Sequence, residues 1–302
     1  MKLASTTEGF ILFDSARTAA EMVRAYEGTG FRYLDFSFGP VTTALLGDDW
    51  MPQIEQAAKE AERLGFTFIQ SHTPGFNCMA PSFGQPHIEA YARCFEACRY
   101  LGIPGTVIHS GFSFDMLYPQ HREEYFRQNR AFYEALLPYA EKYNVQMLIE
   151  NSCSSNMAGR YFFMTGQEMA DFIDEFNHPL LQAVWDFGHG QAHGLRQSEQ
   201  LITLGPRLRA LHVHDTITNG DLHMMPFCGT TDFDDVMQGL LAADYKGAFT
   251  FEVNQLLRPC RPAPDLAERR LTQPSPEMRY AALCLLYQTG KHILQQYNCF
   301  EG

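Results

Sequence analysis

Positively charged residues are scarce in this chain, which has 23 lysines and arginines against 35 aspartates and glutamates among its 302 residues. The formal net charge of −12 disfavours nucleic acid as a partner, because proteins that bind a phosphate backbone usually present a basic face. The sequence also lacks a GxGxxG motif and a P-loop motif. It therefore contains neither of the glycine-rich loops that bind dinucleotides or nucleoside triphosphates.

Long apolar runs and paired cysteines are absent as well. No segment approaches the ~20 consecutive apolar residues that cross a membrane, and residues 1–15 lack the apolar core of a signal peptide. The eight cysteines form no CxxC pair, and the helix-like spacing of Cys94 and Cys98 indicates packing rather than a disulfide or a zinc site. We therefore expect a reduced, cytoplasmic protein without a membrane segment.

The sequence does contain a regular alternation of short apolar runs and amphipathic stretches, repeated about eight times. Hydrophobic residues make up 45% of the chain and charged residues 19%, which is enough apolar material for a sizeable core. The alternation predicts an α/β protein with a single (β/α)8 TIM barrel domain over residues 1–302. The alternative is an open doubly wound sheet, which usually has fewer strands and a glycine-rich phosphate loop.

Local signals give approximate bounds for these elements. Strands are expected at residues 2–5, 33–36, 66–71, 106–108, 146–149, the apolar start of 181–190, 210–213 and 248–251. Helices are expected at residues 16–26, 54–64, 86–101, 123–142, 165–176, 198–204, 233–243 and 275–295. Gly65 is the expected cap of the second helix, and Thr165 with Glu168 fits a capping box. The segment 258–276 is expected to be a long surface loop.

Side chains that commonly bind divalent metals follow six of the eight predicted strands. They are His72, His109, Glu150, Asp186 with His189, His212 and Glu252. The carboxyl ends of barrel strands face one mouth, so these side chains are expected to converge there. A single strand-end histidine is often only a hydrogen-bonded loop anchor. Glu150 and Glu252 carry more weight, because each directly follows an apolar strand, where a buried carboxylate must be paired or bound to a cation.

A second polar group follows the seventh predicted strand. Asp221 and His223 are separated by one residue, so they can offer two ligands to one ion, although an ordinary polar loop is the alternative. Together with the strand-end residues, they predict a centre for one or more divalent metal ions.

The motifs at the strand ends resemble those of the xylose-isomerase-like TIM barrel superfamily, which includes sugar isomerases, sugar epimerases and the apurinic endonuclease IV family. The similar segments are IEN at Glu150, WDFGH at Asp186, LHVHD at His212 and FEV at Glu252. The resemblance implies that these four residues bind one divalent metal, Mn²⁺, Co²⁺ or Mg²⁺. His212 is preferred to His214 because it lies three residues before Asp215, which matches the spacing in the family.

The resemblance to the isomerase and epimerase branch implies a metal-dependent enzyme that acts on a sugar or a sugar-like substrate. Its reaction would be proton abstraction next to a carbonyl, with Glu150 and Glu252 as the catalytic carboxylates and a metal-stabilised enediolate. The residues expected to contact the substrate are His72, His109, Trp185 and His189. The expected partner is a small carbohydrate, and by analogy with the family a homo-oligomer is also expected.

Other activities are compatible with the same residues. The endonuclease IV branch holds three Zn²⁺ ions with nine ligands, and this sequence has a counterpart for each. These are His72, His109, Glu150, Asp186, His189, His212, Asp221, His223 and Glu252. A zinc phosphoesterase with two or three metals therefore stays open. So do a metal-dependent lyase on an oxidised glycoside, which also begins with proton abstraction next to a carbonyl, and a binding subunit without catalysis.

Overall fold

Eight parallel strands form the centre of the computed structural model, which describes residues 1–9, 17–118, 120–153, 160–254, 256–257 and 274–301. The strands are β1 (Leu3–Thr6), β2 (Tyr33–Ser37), β3 (Thr67–His72), β4 (Gly105–Val107), β5 (Gln146–Glu150), β6 (Leu181–Asp186), β7 (Leu208–His212) and β8 (Phe249–Phe251). They form one sheet in the order β7-β6-β5-β4-β3-β2-β1-β8. This architecture confirms the predicted TIM barrel.

The two outer strands of that order meet at their carboxyl ends and nearly close the barrel. The backbone N–H of Val213 donates to the carbonyl of Thr250 (2.8 Å), and the N–H of Glu252 donates to the carbonyl of Val213 (3.0 Å). We call these three residues the seam. Because Val213 directly follows His212, two of the predicted metal ligands flank the point of closure.

Helices connect successive strands and surround the barrel. Among the described residues they are α1 (Ala19–Arg24), α2 (Thr42–Leu45), α3 (Met51–Leu64), α4 (Gln85–Leu101), α5 (Arg122–Tyr143), α6 (Gly166–Phe176), α7 (Phe187–Ala192), α8 (Gln197–Leu204), α9 (Phe233–Ala242) and α10 (Pro276–Gln296). The predicted caps are confirmed. Gly65 ends α3 in the left-handed conformation (φ 73°), and Thr165 and Glu168 form a reciprocal capping box at the start of α6.

Two short helices near the mouth are missing from the sequence prediction. α2 follows a 3₁₀ turn at Gly39–Val41, and α7 begins directly after β6. The sequence FGHGQA of α7 contains two glycines, which have weak helix propensity and give no helical periodicity. The structure supplies a cap instead, because the Asp186 carboxylate accepts a hydrogen bond from the backbone N–H of His189 (2.6 Å). Two metal-type residues are thereby fixed relative to each other.

Large apolar side chains fill the layer between the strands and the helices. A separate small cluster lies on the four strands from β4 to β7, and its members are Val107, Leu148, Val184 and Ala210. Cys94 and Cys98 are buried in the helix layer as free thiols, which confirms their predicted packing role. The limits of the domain stay a prediction.

Two other expectations concern the long surface loop and the lack of a membrane segment. Most of the predicted loop at 258–276, together with Cys260, lies outside the described residues. No helix in the described ranges combines the length and the apolar character that crossing a membrane requires.

Candidate metal centre

The central cluster consists of Glu150, Asp186, His212 and Glu252, which come from the ends of β5, β6, β7 and β8. Their ligand atoms all lie within 4.8 Å of one another. Nδ1 of His212 is 2.6 Å from Oε1 of Glu150 and 3.4 Å from Oε2 of Glu252. The four ligands predicted from the sequence are therefore adjacent at the barrel mouth.

The His109 cluster adjoins the central cluster and shares one carboxylate with it. It consists of His72, His109 and Glu150. The two imidazole Nε2 atoms are 2.7 Å apart, and Oε2 of Glu150 lies 3.1 Å from Nε2 of His109 and 3.7 Å from Nε2 of His72. Two nitrogens and one oxygen therefore face the same small space.

The His189 cluster also adjoins the central cluster and consists of His189, His214, Asp221 and His223. Oδ1 of Asp221 is 3.1 Å from Nε2 of His223 and 3.5 Å from Nε2 of His189. His214 stacks on His223 with a ring separation of 4.0 Å, and its Nε2 lies 3.0 Å from Oδ2 of Asp186. His214 therefore contacts the central cluster through Asp186 rather than through His212.

Four of the imidazoles donate Nδ1–H to a backbone carbonyl. The pairs are His72 with Thr73 (2.9 Å), His189 with Asn151 (2.8 Å), His223 with Glu252 (2.9 Å) and, at a longer distance, His214 with Asp215 (3.4 Å). Because a carbonyl oxygen only accepts, Nδ1 carries the hydrogen and Nε2 is directed into the cluster. This arrangement is typical of metal-binding histidines, whose second nitrogen is held by an outer hydrogen bond.

Two buried carboxylate oxygens test whether the central cluster fits a metal. Within the described residues, Oε2 of Glu150 and Oε2 of Glu252 have no hydrogen-bond partner. Burying such oxygens without compensation is unfavourable, and a divalent cation would satisfy both. A set of three carboxylates and one imidazole suits Mn²⁺, Co²⁺, Mg²⁺ or Zn²⁺. The donor set and the two oxygens without a hydrogen bond both fit a metal ion.

The charges of the cluster residues hold protons on several imidazoles. Burial alone would lower the pKa of His72, but the neighbouring Glu150 carboxylate raises it to about 9. Burial likewise opposes the charged form of His223, and Asp221 with Glu252 raises its pKa to about 9. Burial opposes ionisation of Glu150, yet His212 holds the pKa of that carboxyl well below its usual value. A metal ion would replace these protons.

The pKa of His109 is lowered and that of Glu252 is raised, which is the reverse of the shifts of His72 and Glu150. Burial lowers the pKa of His109 to about 3, so that imidazole is neutral, and its Nδ1 lies 2.6 Å from the hydroxyl of Tyr161. Burial raises the pKa of Glu252, although nearby His212 and His223 oppose the shift. Among the three carboxylates of the central cluster, Glu252 is the one that most readily takes up a proton.

A cavity of about 360 Å³ opens at the barrel mouth beside the clusters. His72, His109 and Glu252 line it, together with Glu8 and Thr73. Glu150 and Asp186 are buried and are not among its lining residues. A small ligand in this cavity would meet Glu252 and two imidazoles directly.

Trp185 does not lie in this cavity. Its side chain is completely buried, and its indole N–H donates to Oε1 of Gln197 on α8 (2.8 Å). Neighbouring residues of a strand face opposite sides, so the inward orientation of Asp186 turns Trp185 toward the helices. The geometry gives Trp185 a packing role in place of the expected substrate contact.

Three residues near the clusters have no place in the sequence prediction. Asn151 accepts a hydrogen bond from the N–H of Asp186 (2.6 Å) and donates its amide to the carbonyl of Asp186 (2.8 Å). Tyr161 contacts His109, and Asp35 lies behind His212 with Oδ2 3.5 Å from Nε2. The sequence signal for Asp35 is a carboxylate inside the apolar strand YLDFS.

Comparisons with known proteins agree with this architecture. A family model described as xylose isomerase-like TIM barrel matches residues 23–271. The uncharacterized protein y4fM of Sinorhizobium fredii (strain NBRC 101917 / NGR234) is 25% identical over 170 residues, which are 56% of this chain and 53% of that protein. The chain thus matches about half the length of this curated relative.

Solved structures of sugar epimerases share the fold over almost the whole chain. D-psicose 3-epimerase with D-tagatose, from Clostridium cellulolyticum H10, has a TM-score of 0.74 at 14% identity, covering 97% of this chain and 99% of that one. The 3-keto-D-glucoside 4-epimerase of E. coli has a TM-score of 0.68 at 16% identity, with 95% and 99% covered. The IOLI protein with a bound zinc atom gives 0.71 at 15% identity, with 98% and 99% covered.

Proposed function

Because the chain belongs to the xylose isomerase-like TIM barrel family, we propose that it is a metal-dependent isomerase or epimerase of a sugar or a sugar-like compound. The observation that carries this proposal is the central cluster, which combines three carboxylates and one imidazole beside the mouth cavity. The sugar epimerases with the same fold support a small carbohydrate as the substrate class.

Glu150, Asp186, His212 and Glu252 would hold the metal ion. A bound Mn²⁺, Co²⁺ or Mg²⁺ would polarise a substrate carbonyl and stabilise the negative charge of an enediolate. The zinc atom in the similar IOLI protein supports a divalent ion without deciding which one this chain takes.

Glu252 is the preferred group for proton transfer. It lines the mouth cavity, and burial raises the pKa of its carboxyl, so it can take a proton from a carbon next to a carbonyl. In an epimerisation a second group returns a proton to the opposite face, and Glu150 is the proposed partner. Glu150 is, however, held by His212 and is not among the residues that line the cavity, which favours its role as a metal ligand.

His72 and His109 would contact hydroxyl groups of the substrate, because both line the mouth cavity. His189 is buried and has Asn151 and Asp221 as neighbours, so its proposed contact with the substrate is less direct.

Deuterium exchange tests this function whatever the identity of the product. D-psicose, D-tagatose and D-fructose are incubated with the Mn²⁺-loaded protein in D₂O, and NMR follows the loss of the C–H signal next to the carbonyl. We expect exchange with at least one sugar, and a loss of about 10²–10⁴-fold in Glu252→Gln. The matched control is Glu199→Gln on the surface of α8. Full exchange by Glu252→Gln would contradict the assigned role.

A second candidate function rests on the two clusters that flank the central one. The His109 and His189 clusters bring the remaining five of the nine predicted ligand positions next to the first four. Such a set could hold two or three Zn²⁺ ions and activate water against a phosphoester, as in an abasic-site endonuclease. Elemental analysis of protein purified without chelators separates the two candidates. About one metal per chain supports the isomerase, and two or three zinc ions with hydrolysis of a phosphodiester support the hydrolase.

The similar 3-keto-D-glucoside 4-epimerase gives the lyase alternative a specific probe. A 3-keto-glucoside has an acidic C–H next to its carbonyl, so the same carboxylate could begin either epimerisation or elimination. NMR of a 3-keto-glucoside incubated with the protein would distinguish an epimerised glycoside from the unsaturated product of elimination.

A further inference from the structure

Asp35 is a fully buried carboxylate on β2, inside the barrel. Its Oδ2 accepts a hydrogen bond from the side-chain amide of Gln70 (3.0 Å), and within the described residues its Oδ1 has no hydrogen-bond partner. A buried carboxylate with one neutral donor is unfavourable unless a positive group compensates it. Asp35 therefore requires a further partner.

His212 is the group placed to be that partner. Its Nε2 lies 3.5 Å from Oδ2 of Asp35, and among the described residues no lysine or arginine forms an ion pair with Asp35. Nε2 of His212 also has no other hydrogen-bond partner in this part of the chain. Meanwhile Nδ1 of the same ring lies 2.6 Å from Glu150. The His212 ring thus lies between Asp35 and Glu150.

The orientation of His212 is the reverse of the other cluster histidines. His72, His189 and His223 donate Nδ1–H to backbone carbonyls and direct Nε2 inward. His212 directs Nδ1 inward, and its outer nitrogen faces a carboxylate. An ionised carboxylate only accepts hydrogen bonds, so it selects the ring form that carries the hydrogen on Nε2 and leaves the lone pair on Nδ1.

We propose that Asp35 is a positioning residue for the central metal ion, acting through His212. It fixes the ring form in which Nδ1 can bind a cation, and Gln70 orients Asp35. The inference rests on the proposed metal centre and adds to it a residue outside the ligand set.

The test compares Asp35→Asn with the wild type by titrating Zn²⁺ into the metal-free protein against a competing chelator. Loss of an outer partner of a metal-binding histidine typically weakens affinity about 10–100-fold, and we expect a change of that size at the central cluster. The matched control is Asp235→Asn, whose carboxylate contacts Ser198 outside the barrel. We expect this control to keep the wild-type affinity.

Ring-nitrogen NMR of the Zn²⁺-loaded protein gives a readout that a merely structural role would not change. The His212 signals, assigned by their loss in His212→Asn, should show metal on Nδ1 and hydrogen on Nε2 in the wild type. In Asp35→Asn that single form should be lost. If Asp35→Asn fails to fold, Gln70→Met replaces it, and we expect a weakening of about 3-fold to 10-fold in the same direction.

Unchanged affinity and an unchanged His212 ring form in a folded variant would overturn the role of Asp35 while leaving the metal centre intact. A wild-type protein that binds no Zn²⁺ and no Mn²⁺ would instead overturn the proposed function and, with it, this inference.

Discussion

The two ends of the barrel interior differ sharply in chemistry, although the same strands supply both. Residues two apart on a strand share a face, and at that spacing an inner residue precedes five of the candidate metal ligands. The pairs are Gln70 and His72, Val107 and His109, Leu148 and Glu150, Val184 and Asp186, and Ala210 and His212. One two-residue step thus separates a mainly apolar interior from a cluster of charged groups.

The apolar inner residues stabilise the barrel, whereas the charged residues at the mouth are suited to binding and catalysis. Burial of apolar residues such as Leu148 stabilises the fold by roughly 25 cal/mol per Å² removed from water. Burial of Glu150 is unfavourable until imidazoles or a cation compensate its charge. Mutations at the two ends should therefore affect different measured quantities.

The largest effect is expected from Glu150→Gln at the mouth. Glu150 belongs to both the central cluster and the His109 cluster, so the neutral amide weakens both. We expect Zn²⁺ affinity to fall by at least about 100-fold, more than an outer-shell change would cause. Chelator competition measures the change, with Glu199→Gln as the matched control. Wild-type affinity in the variant would remove Glu150 from the ligand set.

The next effect is expected two residues earlier, from Leu148→Ala. Removing this buried side chain should lower the free energy of unfolding by about 2–5 kcal/mol, near the lower end because a cavity of about 400 Å³ already adjoins Leu148. Urea unfolding of the metal-free protein measures the loss, with exposed Leu285→Ala as the control. A fall in Zn²⁺ affinity comparable to that of Glu150→Gln would show that the two ends are not independent.

Two histidines at the barrel mouth should make both the stability of the fold and the binding of metal depend on pH. The pKa values of His72 and His223 are raised to about 9, so in the metal-free protein they stabilise the fold fully below pH ~6.5, and this contribution is lost as the pH rises through about 9. Metal binding needs neutral imidazoles, so ions that these residues bind should release protons at pH 7 and bind more tightly toward pH 9.

Calorimetry in two buffers with different protonation enthalpies measures this release. We expect a buffer-dependent heat of Zn²⁺ binding at pH 7 that shrinks as the pH approaches 9. The stability loss of Leu148→Ala should be the same at both pH values. A heat that does not depend on the buffer would contradict the assigned protonation of the imidazoles.

The smallest effect is expected from Tyr161→Phe. The hydroxyl of Tyr161 is the partner of Nδ1 of His109, and its loss leaves the ring free to place its hydrogen on either nitrogen. We expect Zn²⁺ binding at the His109 cluster to weaken about 10-fold while the central cluster is unchanged. Metal stoichiometry at limiting Zn²⁺ checks this, with Tyr139→Phe as the control. Equal weakening of both clusters would show that they act as one site.

Much of the fold, and the side chains that meet at the candidate site, could be predicted because their signals are local. A polar residue such as Glu150 directly after an apolar strand is visible in the sequence, and so are the caps at Gly65 and Thr165. α7 could not be predicted, because its glycines hide a helix that a cap from Asp186 supports. The packing of Trp185 follows from strand alternation next to Asp186 and was within reach of the sequence.

The outer partners of His212 and His109 could not be predicted, because each of these two pairs joins residues far apart in the chain. Asp35 meets His212 only when β2 and β7 face each other across the barrel interior. Tyr161 lies between β5 and α6 in the chain, and no sequence signal there indicates its contact with His109.

The seam gives metal binding at the proposed centre a consequence for the stability of the barrel. Two backbone hydrogen bonds join Val213 to Thr250 and Glu252, and the side chains of His212 and Glu252 would hold one ion across the same gap. An ion bound there would link β7 and β8, the two outer strands of the sheet order, in addition to the hydrogen bonds. Amide protons of Val213 and Glu252 should then exchange with solvent more slowly when the ion is bound, because the ion would also stabilise the contact between β7 and β8.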